Sequence, residues 1–438
     1  MSVDLPRART PAGTGERLQA LVRELFPICR SITGDGVRET LAAVAERIPL
    51  DVHEVPTGAP VLDWTVPNEW NVRDAYIAKD GRRIVDFAES NLHLVNYSEP
   101  FRGKLSLEEL RPRLHSLPEH PSWIPYRTSY YSPTWGFCLA DEELRRLEEA
   151  EYEVVVDTTL APGSLTYGEC YLPGEREDEV LLTTHVCHPS LANDNLSGIA
   201  VLTELGALLQ EARGSLSYRL LFIPGTIGSI TWLARNKDQV DRIVAGLTLA
   251  CVGDGAPLTY KRSRRGNATI DRAAEYTLPR VDERARFVDF IPWGWDERQF
   301  NSPGFNLPVG SLCRSREGEF TEYHSSADGL DFVRPEALEH ALSSVVELLG
   351  VIDDERHYVN LAPEGEPQLG KRGLYPTVGG SAAEQEQIAM LWVLNLSDGC
   401  HSLLDIAERS QLPFELVREV ALRLRDAGLL AERVEDRS

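Results

Sequence analysis

Within the eleven positions from His185 to Asn195 the chain places His185, Cys187, His188, Asp194 and Asn195. Imidazole, thiolate and carboxylate are the strong protein ligands for zinc, so this stretch holds more donors than one ion needs. A second group lies in GEFTEYHSSADGLDFV, residues 318–333, where His324 stands among Glu319, Glu322 and Asp328. Zinc ligands converge at about 2 Å, usually from separate loops. Two histidine groups so far apart in the chain serve one site only if the fold joins them.

The elements around these residues suggest how that happens. Val180 to Thr184 is an apolar, β-branched run of the kind that forms an interior strand, and the ends of such strands are where open α/β sheets carry their chemistry. Further strands are expected near 153–159, 167–173, 218–223 and 245–252, with helices near 196–211 and 227–237 and a long helix over 335–352. Two earlier helices, over 16–30 and 37–48, should flank the same sheet. Alternation of this kind indicates a mixed or parallel sheet covered on both faces.

Between 52 and 145 the texture changes to short β-rich pieces broken by Pro and Gly and rich in aromatics, which reads as an inserted β-rich domain. Within it, Pro125 to Phe137 (PYRTSYYSPTWGF) offers Arg127 and Tyr130 as groups that could reach a substrate, although aromatics in a small domain more often form its core. Residues 355–382 look like a linker. After them come helical patterns over 384–396, 402–410 and 413–430, with the texture of a winged helix-turn-helix. The expected division is 15–51 and 146–354 for the main domain, 52–145 for the insertion, 355–382 for the linker and 383–438 for the winged helix. Residues 1–14 carry no periodicity and read as disordered.

Composition narrows the function. The chain has 438 residues, 42% of them hydrophobic, and a formal charge of -23, which argues against nucleic acid or an anionic membrane as the main partner. From residue 381 onward eleven acidic residues face six basic ones, so the winged helix reads as a protein-contact or homo-oligomer module in preference to a DNA reader. Seven scattered cysteines and no apolar signal core point to a reducing cytoplasm. No window approaches the roughly 18 apolar residues of a membrane span.

With the motifs HVCHPSLANDNLSG, FIPGTIGSI, YKRSRRGN, DERQFNSPGFNLPVG and EYHSSADGLDFV in order, the chain resembles the zinc aminopeptidase-like superfamily. More narrowly it is similar to a bacterial group of aminopeptidase-like proteins with an inserted domain before the zinc motifs and a winged helix after them. The resemblance covers about residues 15–436 and implies an α/β, three-layer αβα catalytic domain. It implies Asp194 and His324 as metal ligands. His185 holds the superfamily's strand-end ligand position, while His188 in CHPS is typical of the narrower group, so either could be the third ligand. Cys187 stands where the superfamily has an Asp that orients the histidine.

Two departures stand out. The superfamily has a Glu-Glu pair after a later strand, the first as general base and the second as metal ligand, and the narrower group usually reads PET there. This chain reads Pro224-Gly225-Thr226. The other superfamily Asp aligns near Ala250, with Asp254 as a substitute. One zinc with an open fourth position is therefore expected, without ligands for a second.

Gly225 has three readings: a natural loss that alters the activity, a base supplied from elsewhere, or an inactivating substitution. Glu322, Glu319 and Asp296 are the carboxylates available as replacements, and Arg298 or Arg314 could hold a substrate carboxylate in a bidentate pair. The expected activity is hydrolysis of an amide bond in a small peptide or amino-acid conjugate, in a specialised biosynthetic pathway. The alternatives are amide formation or transfer at the same pocket, or a scaffold without catalysis.

Overall fold

A computed structural model describes residues 11–212, 214–374 and 381–433, the side chains of 381–383 excepted. The segment read as disordered lies, through residue 10, outside the described residues, and a helix begins at Thr14.

The chain forms a mixed α/β fold around an eight-stranded sheet. Its spatial order is Asp51–Pro56, Ser164–Leu172, Ser217–Ile223, Glu179–His185, Ile243–Leu249, Val309–Cys313, Thr259–Lys261 and Arg286–Val288. The four strands from Ser217–Ile223 through Val309–Cys313 run parallel. Every residue of Glu179–His185 and Ser217–Ile223 is buried, as expected for strands covered on both faces.

Helix Gly198–Glu211 packs against both of these strands, burying Ile199, Val201, Leu202, Leu205 and Leu209. Each such side chain contributes roughly 1.5–3 kcal/mol. Gly198 lets the helix start against the strand ends: a Cβ there would stand 2.6 Å from Thr184 Oγ1 and 2.7 Å from the Leu249 carbonyl oxygen.

Two strands lie elsewhere than expected. Glu151–Ala161 does not join the main sheet. It is a central strand of a four-stranded antiparallel sheet with Glu69–Lys79, Arg82–Asp86 and Phe101–Ser106. Conversely, Asp51–Pro56 pairs with Ser164–Leu172 in the main sheet. The chain leaves and re-enters between Thr57 and Gly163, whose backbones hydrogen-bond at 2.9 Å, so the insertion extends on the C-terminal side past the expected 145. An apolar run such as Val154–Val156 suits either sheet, because pairing partners are not encoded locally.

The unit from Glu347 onward contains a three-stranded sheet of His357–Asn360, Asp398–Ser402 and Leu430–Glu432. Helices Ser381–Leu396, Leu403–Ser410 and Phe414–Asp426 complete a winged helix. The stretch expected as linker therefore already contributes a strand at His357–Asn360, while its residues 375–380, like 434–438 of the winged-helix span, lie outside the described residues.

Candidate metal centre

The parallel strands end level with one another, His185 opposite Ile223. The site lies beyond these ends. The Asp194 carboxylate is fully buried and split between two imidazoles: His185 Nε2 lies 2.9 Å from Oδ1 and His324 Nε2 lies 3.0 Å from Oδ2. The ligand atoms of His185, His188 and Asp194 all fall within 4.8 Å of one another. His185 and His188 thus do not compete for a place, since both rings border the site, with centroids 4.7 Å apart.

Protonation favours a cation here. Burial pushes the His188 imidazole down to about 3, leaving it neutral. Burial opposes ionisation of Asp194, but the surrounding histidines outweigh it and hold this carboxyl well below the usual range. A neutral imidazole beside an ionised carboxylate is the kind of donor pair zinc prefers. The buried Asp194 Oδ2 and His324 Nε2 have no well-formed hydrogen bond despite their proximity, as expected of atoms facing a shared cation.

Surrounding groups fix these side chains. Asn195 Nδ2 lies 3.3 Å from His185 Nδ1 and donates to Thr184 Oγ1 at 2.7 Å. The Asp328 carboxylate accepts from the backbone N–H groups of Asn193 at 2.5 Å and Asp194 at 2.9 Å. Asp254, the substitute ligand suggested by sequence, instead accepts from Asn193 Nδ2 at 2.9 Å and braces the same loop.

The inserted domain contributes directly. Pro125 pairs with Ser325, the Tyr126 N–H donates to the His324 carbonyl at 2.7 Å, and the Tyr126 ring meets both His188 and His324 edge-on. Tyr323 stacks on His324 with centroids 3.9 Å apart. His324 itself has φ of +54°, a left-handed conformation that a non-glycine residue keeps only where its surroundings impose it. Tyr323 was not singled out by the sequence, whereas Asn195 and Asp328 stood in the two polar groups without an assigned role and Tyr126 lay within the Pro125–Phe137 segment.

At the next strand end Gly225 has no side chain to offer, and the Cys187 thiol fills the space beside it. The Gly225 N–H donates to Cys187 Sγ at 3.3 Å, and a Cβ at 225 would stand 3.2 Å from that sulfur. Burial pushes the Cys187 thiol up to about 12, so it is neutral.

Asp296 comes to this strand end from a separate loop. Its Oδ1 accepts from the Thr226 N–H and from Ser229 Oγ, both at 2.7 Å, while the buried Oδ2 has no partner among the described residues. Burial raises its carboxyl above the ordinary value, against the opposing pull of nearby His185. Arg298 Nη2 donates to Thr226 Oγ1 at 3.0 Å.

The other sequence-nominated residues divide. Glu322 is half-buried two residues before His324, with no side-chain bond among the described residues. Tyr130 bonds the Tyr126 hydroxyl at 2.8 Å and so stands one ring behind the histidines. Arg127 is exposed, and its charge acts on His115 and Cys138 in the insertion. Arg314 is a correction: its guanidinium is committed to the carbonyls of Val252, Ala256 and Ala337 and to His340, which leaves it a brace between loops.

Comparison with known proteins agrees with this architecture. Residues 19–355 match the family described as "Domain of unknown function (DUF4910)", and residues 356–432 match a winged helix-turn-helix family. A Clostridium acetobutylicum protein named "Putative polysaccharide biosynthesis protein with aminopeptidase-like domain" is 49% identical over 419 residues, covering 95% of this chain and 96% of its own. A crystal structure of a "putative peptidase" from Clostridium acetobutylicum superimposes with a TM-score of 0.90 at 48% identity, covering 96% of this chain and 97% of that one. The zinc aminopeptidase BSAP from Bacillus subtilis shares the fold, with a TM-score of 0.56 at 12% identity over 78% of this chain and 95% of that one. A His-Asp-His arrangement at the ends of the parallel strands of a mixed sheet, an inserted β domain and a trailing winged helix therefore describe a member of the DUF4910 family, to which this chain belongs, built on the aminopeptidase-like fold.

Proposed function

We propose that the protein is a zinc-dependent hydrolase of an amide bond in a small peptide or amino-acid conjugate, with Asp296 moving the proton in place of the carboxylate absent at position 225. The observation that carries this reading is the Asp194 carboxylate shared by His185 and His324. These three residues would hold the metal, with His188 beside them. Bound zinc would supply polarisation of a carbonyl and a lowered pKa for water.

The remaining work falls to the chain. Asp296 Oδ2 is buried and unpartnered, so it is free to take a proton from water and return it to the leaving amine. Its raised affinity for protons suits both steps. Thr226 and Ser229 hold Oδ1 and thereby orient the carboxyl. Tyr126 and Tyr323 wall the histidines and limit water. The name of the Clostridium acetobutylicum relative supports a biosynthetic substrate in preference to a nutritional peptide.

One observation supports amide formation or transfer as a second reading: a Cβ at position 225 would stand only 3.2 Å from Cys187 Sγ, so the sulfur crowds the place of the usual base. The winged helix is read as a protein-contact module, because Arg418, Arg423 and Arg425 on helix Phe414–Asp426 are engaged by Asp354, Glu386 and Asp426 and are not free for phosphates.

Two measurements test the proposal. Metal analysis of the purified chain should find stoichiometric zinc. Asp296→Asn should lower kcat on a cleaved aminoacyl amide by about 10² to 10⁴ while leaving zinc content unchanged. Absence of zinc, or full activity in the Asn variant, refutes it.

A further inference from the structure

The segment Trp295–Arg298 concentrates polar atoms that are buried without a hydrogen-bond partner among the described residues: Trp295 Nε1, Asp296 Oδ2 and Arg298 Nε. Glu297, between them, is instead ion-paired to Lys261. Unsatisfied buried groups are rare in folded proteins, and several on one short stretch mark a place where something else completes the bonding.

Arg298 is the most informative of them. Three arginines more buried than Arg298 are committed, Arg219 to Glu169 and Glu179, Arg314 to backbone carbonyls and His340, and Arg30 to the carbonyls of Leu25 and His188. Arg298 makes no ion pair among the described residues and spends one donor on Thr226 Oγ1. A guanidinium carries five N–H donors. The chain has 68 acidic residues against 45 basic ones, so acids are not scarce. Even Asp296, two residues away, bonds to Thr226 and Ser229 and stays outside ion-pair distance of Arg298.

Thr226 separates the two. With φ of +65° it turns its N–H to Asp296 and its hydroxyl to Arg298, adjoining Gly225 at the strand end. Tyr131 is 53% exposed and near enough for the charges of both Arg298 and Asp296 to act on its hydroxyl. Its ring meets Trp64, 41% exposed, edge-on at 5.2 Å.

We infer that Arg298, with Thr226, Tyr131 and Trp64, forms a subsite for a substrate carboxylate, so that the protein takes compounds bearing a free carboxylate close to the reacting amide and an apolar body against the two rings. The planar guanidinium would bind that carboxylate through paired hydrogen bonds. This inference rests on the hydrolase reading for the word substrate, but the subsite itself is tested by binding alone.

The test uses the zinc-loaded full chain and two uncleavable probes: leucylglycine with its peptide bond replaced by CH2–NH, and the C-terminal amide of the same compound. Calorimetry should find the acid bound about tenfold or more tighter than the amide, the usual scale for a charge-assisted bond. Arg298→Gln should reduce this preference to about twofold or less by weakening the acid alone, with zinc content unchanged. Arg298→Lys should retain part of it, since the charge remains without the paired geometry. Equal binding by the parent, absence of binding included, overturns the subsite, as does a preference that survives in Arg298→Gln. If the preference appears but leucylglycine and other aminoacyl amides are never cleaved, the hydrolase reading fails while the subsite stands.

Discussion

Two neighbouring parallel strands, Glu179–His185 and Ser217–Ile223, end at the same level, yet the loops that follow them have opposite characters. The first is dense with polar side chains that are buried and hydrogen-bonded: Asn193, Asp194, Asn195 and Ser197 each have a partner inside the loop, on the strand before it or on a neighbouring loop. The second is Pro224-Gly225-Thr226, which contributes no ionisable group and receives Asp296 and Arg298 from elsewhere. A loop that holds a cation must carry its own donors in fixed geometry. A loop that moves a proton can borrow the carboxyl from another part of the chain, provided that a backbone N–H and a hydroxyl orient it.

The largest effect is expected where the dense loop is cut. Asp194→Ala removes the carboxylate shared by His185 and His324, and zinc affinity, measured by chelator competition, should fall by well over the roughly 10- to 100-fold seen for changes beyond the metal ligands. Unchanged affinity would break the contrast, because the loop would then not be a metal loop.

Next comes its brace. Asp328→Ala leaves the buried N–H groups of Asn193 and Asp194 without their acceptor, at about 1–3 kcal/mol for each, which thermal unfolding should register as a lowered Tm.

The sparse loop offers a more moderate test. Gly225→Glu drives a Cβ to 3.2 Å from Cys187 Sγ and should destabilise by about 1–3 kcal/mol, while Cys187→Ala in the same chain should recover most of that loss. Aminopeptidase activity that appears only in the double variant would mean that the thiol and the glycine changed together. Activity in Gly225→Glu alone would mean that the sulfur yields easily.

The smallest effect lies outside both loops. Arg38 bonds Glu54 of the main sheet and Glu69 of the inserted sheet, and its hydrogen bonds hold the Glu69 carboxyl at about 2 against an ordinary 4.5. A depressed folded pKa contributes stability above pH 4.5 that is lost as pH falls towards 2. Because this pair is partly solvated, about 1 kcal/mol is expected. Parent and Glu69→Gln should therefore differ in urea midpoint at pH 6 and converge near pH 2.

Much of the aminopeptidase-like half was legible in the residues. The apolar run Val180–Thr184 announced a doubly covered strand, and the surplus of donors after it announced a candidate cation site, because both signals are local. The strand Glu151–Ala161 was equally visible as a strand, but its sheet was not, since pairing with Glu69–Lys79 is a long-range choice. Arg314 looked like Arg298 in sequence. One is consumed by backbone carbonyls and the other has no acid partner among the described residues, a difference that depends on how loops distant in the chain converge.

Residue chemistry and spacing alone therefore determined the α/β class and the surplus of candidate metal donors after His185, while the resemblance to the zinc aminopeptidase-like superfamily marked Gly225 as a position where a carboxylate is expected. Only the tertiary structure decided that His185 and His188 share the site, that Tyr126 from the insertion closes over His324, and that Asp296 faces the strand end left empty. Hydrophobic periodicity is written along the chain, whereas the company a polar side chain keeps is set by which segments the fold brings within hydrogen-bonding distance.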